Sequence, residues 1–227
     1  MIGASTTLVA LLGHPVAHSL SPRMQNAGFA ARALDWAYVA LDVPPERLAE
    51  AVRGLEATGF AGANVTAPHK LAVARLVETE APSVNTLVFR DGRAFGGTTD
   101  AAILAGLQAE RPAILGDGGA AQAFVQALPR ARVFSRRGEW PPDVRDADLV
   151  VNATSARDEV LVELGPGQTL VDLPYPDSAT AAAARAAGAH VLDGLEVLLA
   201  QGAASFELWT GIPAPVEVMR AAVRSAA

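Results

Sequence analysis

Two charged side chains in the first half of the chain have the chemistry to move a proton. Lys70 follows a predicted strand at 59–65, and Asp100 follows a predicted hairpin; open α/β sheets place their ligands at such strand ends. If the two side chains converge, they could hold one hydroxyl group and transfer its proton, as alcohol oxidation by hydride transfer requires. Each also has an ordinary alternative, since a single lysine is usually a solvated surface charge and Asp100 could cap the helix after it.

Two short hydroxyls lie at the start of a predicted helix. Ser19 and Ser21 fall within residues 13–22, directly after a predicted strand, and Pro22 suits the first position of a helix. The N–H groups at a helix N-terminus favour anions, so the two serines could bind a carboxylate. The alternative is that Ser21 only acts as the N-cap, and from its position alone we expect this role.

Amide side chains stand at further strand ends. Residues 64–70 begin with Asn64, and Asn85 stands beside Thr86, ahead of residues 96–100. Because open α/β sheets bind ligands at the ends of their strands, these groups could contact the same ligand.

A glycine-rich loop opens the second half of the chain. Gly116 and Gly118, with Ala121 three residues later, follow the predicted strand 112–115 and precede an alanine-rich helix. In this context the spacing is typical of a dinucleotide-binding loop, because glycine lets the backbone approach a pyrophosphate and the helix N-terminus offers N–H groups. Such a loop is as often an ordinary turn, so the spacing alone leaves nucleotide binding open.

Two arginines stand at the end of the next predicted strand. Ser135-Arg136-Arg137 occupies the place where an NAD-binding enzyme usually has a carboxylate for the ribose hydroxyl. Two guanidinium groups suit the additional 2′-phosphate of NADP, which makes NADP the predicted cofactor. The alternative is that both are solvated loop residues, and Asp117 brings a negative charge close to any anion bound at the glycine loop.

Short apolar runs alternate with helical patterns along the whole chain, which is typical of βαβ units and a mostly parallel sheet. The predicted fold class is therefore α/β. Strands are predicted at 7–12, 36–41, 59–65, 84–89, 112–115, 131–134, 149–151 and 169–171. Helix starts are predicted at Ser21, at Pro45 and at Pro68 before 70–77, with further helices at 101–110, 122–128, 178–187, 194–209 and 213–226.

One connection is too short for a full doubly wound domain. The predicted strands 131–134 and 149–151 are separated by barely the roughly dozen residues that a parallel crossover needs. Pro141 and Pro142 would also break a helix there. We therefore predict a reduced nucleotide-binding domain.

Composition argues against several other functions. With 18 Lys and Arg against 24 Asp and Glu the net charge is −6, which disfavours nucleic-acid binding. The 227 residues include no cysteine, and the 4 histidines are scattered, so we expect no metal site. No segment approaches the roughly 18 apolar residues of a membrane span, and no signal peptide is recognisable, so we expect a cytoplasmic protein without a membrane partner.

Eight segments, in order and over nearly the whole chain, resemble the successive signatures of the shikimate dehydrogenase family. They are residues 13–26, 64–70, 83–87, 96–100, 116–123, 152–155, 172–175 and 193–211. The resemblance implies an N-terminal α/β substrate domain at 1–100, completed by C-terminal helices at 195–227, and a reduced Rossmann-type NADP-binding domain at 101–194. It also implies reversible NADP-dependent reduction of 3-dehydroshikimate to shikimate, in chorismate and aromatic amino-acid biosynthesis. Monomer and homodimer both stay open.

The resemblance assigns roles to individual positions. Lys70 and Asp100 become the catalytic pair. The residues that would bind the substrate are Ser19, Ser21, Asn64, Thr66, Asn85, Tyr175 and Gln201. The residues that would bind NADP are Gly116, Gly118, Gly119, Ala120, Ser135, Arg136, Arg137, Asn152 and Thr154. Without the resemblance, Tyr175 and Gln201 would be taken for structural residues.

The chain departs from the family pattern at several positions. Gln25 stands where a histidine is usual, Thr98 replaces an asparagine, Ala101 a glycine and Gly202 an alanine. None of these changes removes a proposed catalytic group, but the interval 70–85 and the nucleotide-binding part are shorter than the family leads one to expect. Two other interpretations stay open: an NAD-using quinate/shikimate dehydrogenase, against which the two arginines argue, and a homologue that binds shikimate without catalysis.

Overall fold

The computed structural model describes residues 2–225, which fold into two compact units. The first unit comprises the residues up to 99 together with those from 199 onward, and the second comprises residues 100–198. The first unit is thus discontinuous in sequence, and each unit is built around its own five-stranded sheet.

The described chain alternates strands and helices, which confirms the α/β class. The strands are β1 (Thr7–Gly13), β2 (Trp36–Asp42), β3 (Gly62–Val65), β4 (Thr86–Arg90), β5 (Arg93–Gly97), β6 (Pro112–Leu115), β7 (Arg132–Phe134), β8 (Leu149–Asn152), β9 (Thr169–Asp172) and β10 (His190–Leu192). The α-helices are α1 (Ser21–Ala31), α2 (Leu48–Ala57), α3 (Lys70–Val73), α4 (Gly119–Ala127), α5 (Ala179–Ala186), α6 (Gly194–Thr210) and α7 (Val216–Arg224). Short 3₁₀ helices lie at Pro45–Arg47 and Asp100–Leu104.

The sheet of the first unit has the strand order β2-β1-β3-β4-β5. β1 is parallel to both β2 and β3, whereas β4 is antiparallel to β3 and to β5. The chain leaves β1 through α1 to β2 on one side and returns through α2 to β3 on the other, so the strand order reverses between β1 and β3. Their carboxyl ends flank the kind of crevice in which open α/β sheets bind ligands.

The C-terminal helices complete the first unit. Phe206 of α6 stacks on Phe29 of α1 with ring centroids 5.3 Å apart, and both rings are buried. Trp209 donates its indole N–H to the carbonyl oxygen of Leu87 at 2.9 Å. Glycine is required at Gly62 in β3, because a Cβ atom there would lie 2.3 Å from the indole nitrogen. Residues from the end of the sequence therefore pack against the sheet formed by its beginning.

The second unit has a fully parallel sheet in the order β10-β9-β8-β6-β7, with the strand order reversing between β6 and β8. Residues 135–148 cross from β7 to β8 without a helix. Val144 and Ala147 of this connection pack into the core, together with the partly buried Trp140. The prediction of a reduced domain is therefore confirmed, and these loop residues provide core contacts on a path that has no crossover helix.

The N-cap prediction for Ser21 is wrong. Ser21 is the first residue of α1, and Leu20, whose backbone angles are already helical, is the N-cap. The side chain that bonds to the start of the helix is that of Ser19, whose Oγ accepts a hydrogen bond from the Ser21 N–H at 3.2 Å.

Two predicted helices are shorter than the sequence pattern indicates. The helix predicted at 70–77 ends at Val73, because the chain turns to pair Glu78 with the edge strand β5. The helix predicted at 101–110 is only the 3₁₀ helix Asp100–Leu104, and Gly106 then takes a φ of +83°, which ends helical structure. The sequence pattern does not predict β10, which has only 3 residues.

Two features are absent from residues 2–225, namely a membrane-spanning helix and a metal-binding cluster. No helix within residues 2–225 is long and apolar enough to cross a bilayer. The same residues contain no group of three or more His, Asp or Glu side chains placed to hold a metal ion. Thiolate ligands are absent from the whole sequence.

Candidate active site

Two loops at the carboxyl ends of β1 and β3 lie in direct contact. The N–H of His14 donates to the carbonyl oxygen of Ala67 at 3.1 Å. Gly13 allows this approach, because a Cβ atom there would lie 2.5 Å from the side chain of Thr66. The loop with the two predicted serines and the loop with Thr66 and Lys70 therefore meet where the strand order reverses.

The predicted carboxylate ligands Ser19 and Ser21 stand at the start of α1. Ser19 is half-buried and Ser21 is buried. A hydrogen bond of 3.0 Å from the Ser19 N–H to the carbonyl oxygen of Val16 fixes the turn before the helix. Because Leu20 is the N-cap and Ser21 is already the first residue of α1, the structure contradicts the alternative in which Ser21 only caps the helix.

Lys70 is the first residue of α3, and its side chain is half-buried. Its carbonyl oxygen accepts a hydrogen bond from the N–H of Val84 at 3.0 Å, which ties its backbone to the segment that leads into Asn85. Lys70 is also the only lysine of the chain, since every other residue among the 18 Lys and Arg is an arginine. An arginine cannot release a proton in a protein, whereas a lysine can. The only lysine of the chain, a cation that can release a proton, therefore lies in the segment that follows β3.

The predicted ligands Asn64 and Asn85 form the centre of a buried polar cluster. Their exposed fractions are 4% and 2%. Asn85 accepts a hydrogen bond from the N–H of Thr99 at 2.7 Å and donates one to the Thr99 hydroxyl at 3.0 Å. Asn64 Nδ2 lies 3.1 Å from the hydroxyl of Thr86. The ends of β3, β4 and β5 thus meet through side-chain hydrogen bonds.

Helix α6 joins this cluster through Ser205. The Ser205 hydroxyl lies 2.9 Å from Asn64 Nδ2, 2.9 Å from the Thr86 hydroxyl and 3.1 Å from the Thr99 hydroxyl. It also donates to the carbonyl oxygen of Gln201, one helical turn earlier, at 3.0 Å. One hydroxyl group therefore connects the predicted ligand Asn64 to the helix that carries the predicted ligand Gln201.

Tyr38 orients Asn64 from β2. Its phenolic hydroxyl donates to Asn64 Oδ1 at 2.8 Å. The side chain of Asn26 in turn bonds both the N–H and the carbonyl oxygen of Tyr38. Because the Asn64 carbonyl group faces Tyr38, its NH₂ group is directed at the hydroxyls of Thr86 and Ser205.

Two predicted site residues, Asp100 and Tyr175, belong to the second unit. Asp100 is buried and directly follows Thr99, the partner of Asn85. It is the first residue of the 3₁₀ helix Asp100–Leu104. Tyr175 follows β9 and is half-buried. The catalytic role of Asp100 and the substrate role of Tyr175 stay predictions.

The predicted phosphate loop lies where the strand order of the second sheet reverses. Gly116 follows β6 with a φ of +113°, a conformation that favours glycine. A Cβ atom there would lie 3.1 Å from the carbonyl oxygen of Ala153, in the loop after β8. The N–H of Gly116 donates to the carbonyl oxygen of Phe134, directly before Ser135. Gly118, the N-cap of α4, has no side chain that could cap the helix. The loops after β6, β7 and β8 are therefore neighbours at one sheet edge.

Each of the two predicted phosphate-binding arginines has a carboxylate partner. Arg136 forms an ion pair with Glu159, and its guanidinium group lies 5.5 Å from the ring centre of Trp140. Arg137 Nη1 lies 3.7 Å from Asp117 Oδ2 in the glycine loop. The arginine side chains are 66% and 88% exposed, so both cations remain largely in solvent.

The loop after β8 is shaped by Asn152. Asn152 is fully buried, donates to Asp172 Oδ1 at 2.7 Å and accepts a hydrogen bond from the Thr154 hydroxyl at 2.7 Å. Burial raises the pKa of the Asp172 carboxyl group, and the hydrogen bond from Asn152 opposes this shift. Asn152 therefore stabilises the conformation of the loop. Thr154 of this loop is half-buried.

No predicted role falls on five residues of these clusters. They are Tyr38, Thr86, Thr99, Ser205 and Glu159. Spacing could have indicated Ser205, because it lies one helical turn after Gln201 and so shares its helix face. A count of the lysines could have indicated Lys70, because the sequence contains no other. No sequence signal places Glu159 beside Arg136.

Known proteins resemble this chain over nearly its full length. The family described as "Shikimate dehydrogenase substrate binding domain" matches residues 11–87, and "Shikimate 5'-dehydrogenase C-terminal domain" matches residues 194–224. The NADP(+) shikimate dehydrogenase of Moorella thermoacetica is 40% identical, covering 99% of this chain and 95% of the relative. That alignment spans 280 positions against the 227 residues of this chain, so it includes positions that this chain lacks.

Solved structures resemble the chain equally broadly. A crystal structure of shikimate dehydrogenase in complex with NADP+ has a TM-score of 0.90 and 30% identity, covering 100% of this chain and 97% of the other. The enzyme from Thermus thermophilus in complex with NADP(H) and shikimate has a TM-score of 0.86 and 32% identity, covering 98% of this chain and 100% of the other. The similarity therefore extends over both units.

Proposed function

The chain belongs to the shikimate dehydrogenase family, and we propose that it catalyses the reversible NADP-dependent reduction of 3-dehydroshikimate to shikimate. The observation that carries the proposal is Lys70, the only lysine of the chain, half-buried where the strand order of the first sheet reverses. Full-length relatives named for this activity support the choice of substrate and cofactor.

Lys70 and Asp100 handle the proton of the reacting hydroxyl group. In the direction of oxidation the amine of Lys70 accepts this proton, and in the direction of reduction its ammonium form returns it to the developing alkoxide. The carboxylate of Asp100 accepts a hydrogen bond from the same hydroxyl. Arginine could not replace Lys70, because its guanidinium group cannot give up a proton.

The remaining side chains of the first unit bind and orient the cyclic acid. Ser19 and Ser21 bind its carboxylate at the start of α1, where the helix N-terminus favours a negative charge. Thr66 lies in the loop that contacts theirs. Tyr175, of the second unit, is assigned to the same carboxylate. The amides of Asn64, Asn85 and Gln201 are assigned to the ring hydroxyls. Ser205 already connects Asn64 to Gln201 through its hydrogen bonds.

The second unit has features that fit NADP. Gly116 has a conformation that favours glycine, and its backbone lies close to Ala153. Any side chain at this position would therefore fill the space beside the loop. Gly118, Gly119 and Ala120 start α4 at this loop, and Ser135 leads into Arg136 and Arg137, which suit the 2′-phosphate. Thr154 is placed on the nicotinamide side, and Asn152 supports its loop. When bound, NADP accepts or donates the hydride.

The activity can be tested by measuring NADP reduction with shikimate and quinate side by side, and NAD reduction with each. We expect turnover with shikimate and NADP. Faster turnover with quinate and NAD would favour the quinate/shikimate dehydrogenase alternative. In separate titrations, shikimate binding without NADP binding would favour a homologue that binds shikimate without catalysis.

The lone lysine allows a direct test of the substrate site. Reductive methylation with isotopically labelled formaldehyde marks only Lys70 and the N-terminal amine, because the chain has no other amino group. Shikimate should shift the Lys70 resonance and leave the N-terminal one unchanged. A Lys70 resonance that ignores saturating shikimate would contradict the proposal.

The location in the cell and the oligomeric state stay predictions. We expect a cytoplasmic monomer or homodimer whose ligands are the small acid and NADP, with no nucleic-acid or membrane partner. Light scattering on the purified protein would decide between monomer and homodimer.

A further inference from the structure

We propose that Glu159 tunes the choice between NADP and NAD, because its carboxylate competes with the 2′-phosphate for Arg136. The inference rests on the proposed function in one respect, namely that the second unit binds an adenine dinucleotide. It adds a residue for which neither the sequence pattern nor the family resemblance gives a role.

Arg136 already has partners that hold its guanidinium group. It forms an ion pair with Glu159 and lies over the ring of Trp140, 5.5 Å from the ring centre. The residue stands just after β7, where dinucleotide-binding domains distinguish a ribose hydroxyl from a 2′-phosphate. A phosphate that binds Arg136 must therefore displace or share a carboxylate.

Glu159 reaches Arg136 from a fixed piece of backbone. The hydroxyl of Thr180 donates to the Glu159 carbonyl oxygen at 3.3 Å and accepts a hydrogen bond from the Leu161 N–H at 3.0 Å. The N–H of Ala179 donates to the carbonyl oxygen of Arg157 at 2.7 Å. Because Thr180 is fully buried, the start of α5 anchors residues 157–161 to the core of the unit.

The carboxylate acts in opposite directions on the two cofactors. A 2′-phosphate carries about −1.5 to −2 charges at neutral pH, so it is repelled by Glu159 while it is attracted by Arg136. A ribose 2′-hydroxyl is uncharged and can donate a hydrogen bond to a carboxylate, which is how NAD-binding domains commonly recognise it. Arg136 thus favours NADP, and Glu159 reduces that preference.

The second ion pair should discriminate less between the two cofactors. Asp117, the partner of Arg137, lies in the glycine loop, on the side of the pyrophosphate that both cofactors share. Its negative charge opposes the pyrophosphate of NADP and of NAD alike, and its looser contact with Arg137, at 3.7 Å, adds a smaller effect at the 2′ position. Glu159 therefore differs from Asp117 in acting mainly on the 2′ position.

Binding of two nucleotides without catalysis tests the proposal. Adenosine 2′,5′-bisphosphate and adenosine 5′-monophosphate differ only by the 2′-phosphate, and calorimetric titration of each needs no turnover. In Glu159→Gln the affinity ratio of bisphosphate to monophosphate should rise about two- to fivefold at low salt, the range expected for an exposed ion pair. High salt should reduce the increase, because it screens exposed charges.

Glu163→Gln is the matched control, since it removes the same charge from an exposed position of the same unit. Its ratio should equal that of the wild type. An unchanged ratio in Glu159→Gln would overturn the proposal. A lower ratio would also overturn it, because Glu159 would then orient Arg136 for the phosphate.

The outcomes separate this proposal from the proposed function. A wild-type protein that binds neither nucleotide would overturn both the role of Glu159 and the cofactor assignment. A protein that shows the expected ratios but does not oxidise shikimate would leave the role of Glu159 intact and overturn only the proposed activity.

Discussion

In the first unit the two predicted amide ligands are buried, whereas in the second unit the two predicted phosphate-binding arginines are exposed. Asn64 and Asn85 are 4% and 2% exposed, and their bonded partners include hydroxyls, an N–H and a carbonyl group. Arg136 and Arg137 are 66% and 88% exposed and face carboxylates. Both sheets nevertheless reverse their strand order between two adjacent parallel strands. The two regions thus share one topological arrangement and differ in the side chains that stand there.

The contrast indicates two ways of recognising a ligand. Buried hydrogen bonds act in a low dielectric and lose much energy when one partner is missing, so they make recognition depend on geometry. Exposed ion pairs contribute about 0.2–1 kcal/mol and are screened over about 10 Å at 0.1 M salt. We therefore expect substrate binding to be insensitive to ionic strength and cofactor binding to depend on it.

The largest effect is expected from Lys70→Ala. Removing the proton-transferring amine should lower kcat by a factor of roughly 10²–10⁴, while shikimate binding measured by calorimetry survives. Lys70→Arg keeps the charge but should lose the same activity, because arginine cannot release the proton. The exposed Arg75→Ala serves as control and should keep wild-type kcat. Near-normal turnover of Lys70→Ala would contradict the assignment.

Arg136→Ala should have the next largest effect. Loss of a charged hydrogen-bond donor should raise the apparent KM for NADP about tenfold or more and leave that for shikimate nearly unchanged. The difference from the wild type should shrink as salt is added. Arg145→Ala, at an 89% exposed side chain, is the control. An equal rise in both KM values would count against a phosphate-binding role.

Ser205→Ala tests the buried region. Without the hydroxyl that joins Asn64 to the Gln201 turn, we expect the KM for shikimate to rise about two- to tenfold, the equivalent of one net hydrogen bond. The KM for NADP should stay unchanged, and salt should not alter the effect. Ser225→Ala, at an exposed position, is the control. A lower Tm with an unchanged shikimate KM would show that Ser205 supports stability alone.

The smallest effect is expected from Asp117→Asn. Removing this charge from the glycine loop should tighten binding of NADP and NAD about two- to fivefold each at low salt, in keeping with an exposed charge. The effect should vanish at high salt, and the exposed Asp158→Asn should show little change. Tighter binding of only one cofactor would mean that Asp117 acts mainly on the 2′ position after all.

Local sequence features predict the regular parts of the fold well. Strand β6 has the predicted bounds, because four apolar residues between Arg111 and Gly116 are too few for a helix and stand between a charge and a glycine. The helix predicted at 101–110 fails, since Gly106 turns the chain into β6 after one short 3₁₀ segment. The helix propensity of the alanines in this segment favours a helix, but the path of the chain into β6 overrides that propensity.

The candidate site is only partly readable from the sequence. Strand ends draw attention to Lys70 and Ser19 without any structure, because open sheets place ligands there. The contact between Asn64 and Ser205 joins residues 141 positions apart, and no local pattern encodes such a distance. Gln201 is singled out only by the family resemblance.

The discontinuity of the first unit has a consequence for synthesis on the ribosome. Residues 100–198 are continuous, so the second unit can fold as soon as it has emerged, whereas the earlier sheet still lacks α6 and α7. Until Phe206 and Trp209 arrive, the faces around Phe29 and Gly62 stay open to water and to other nascent chains. The part that begins the polypeptide should thus mature last, and its exposed apolar surface is where a chaperone would be needed most.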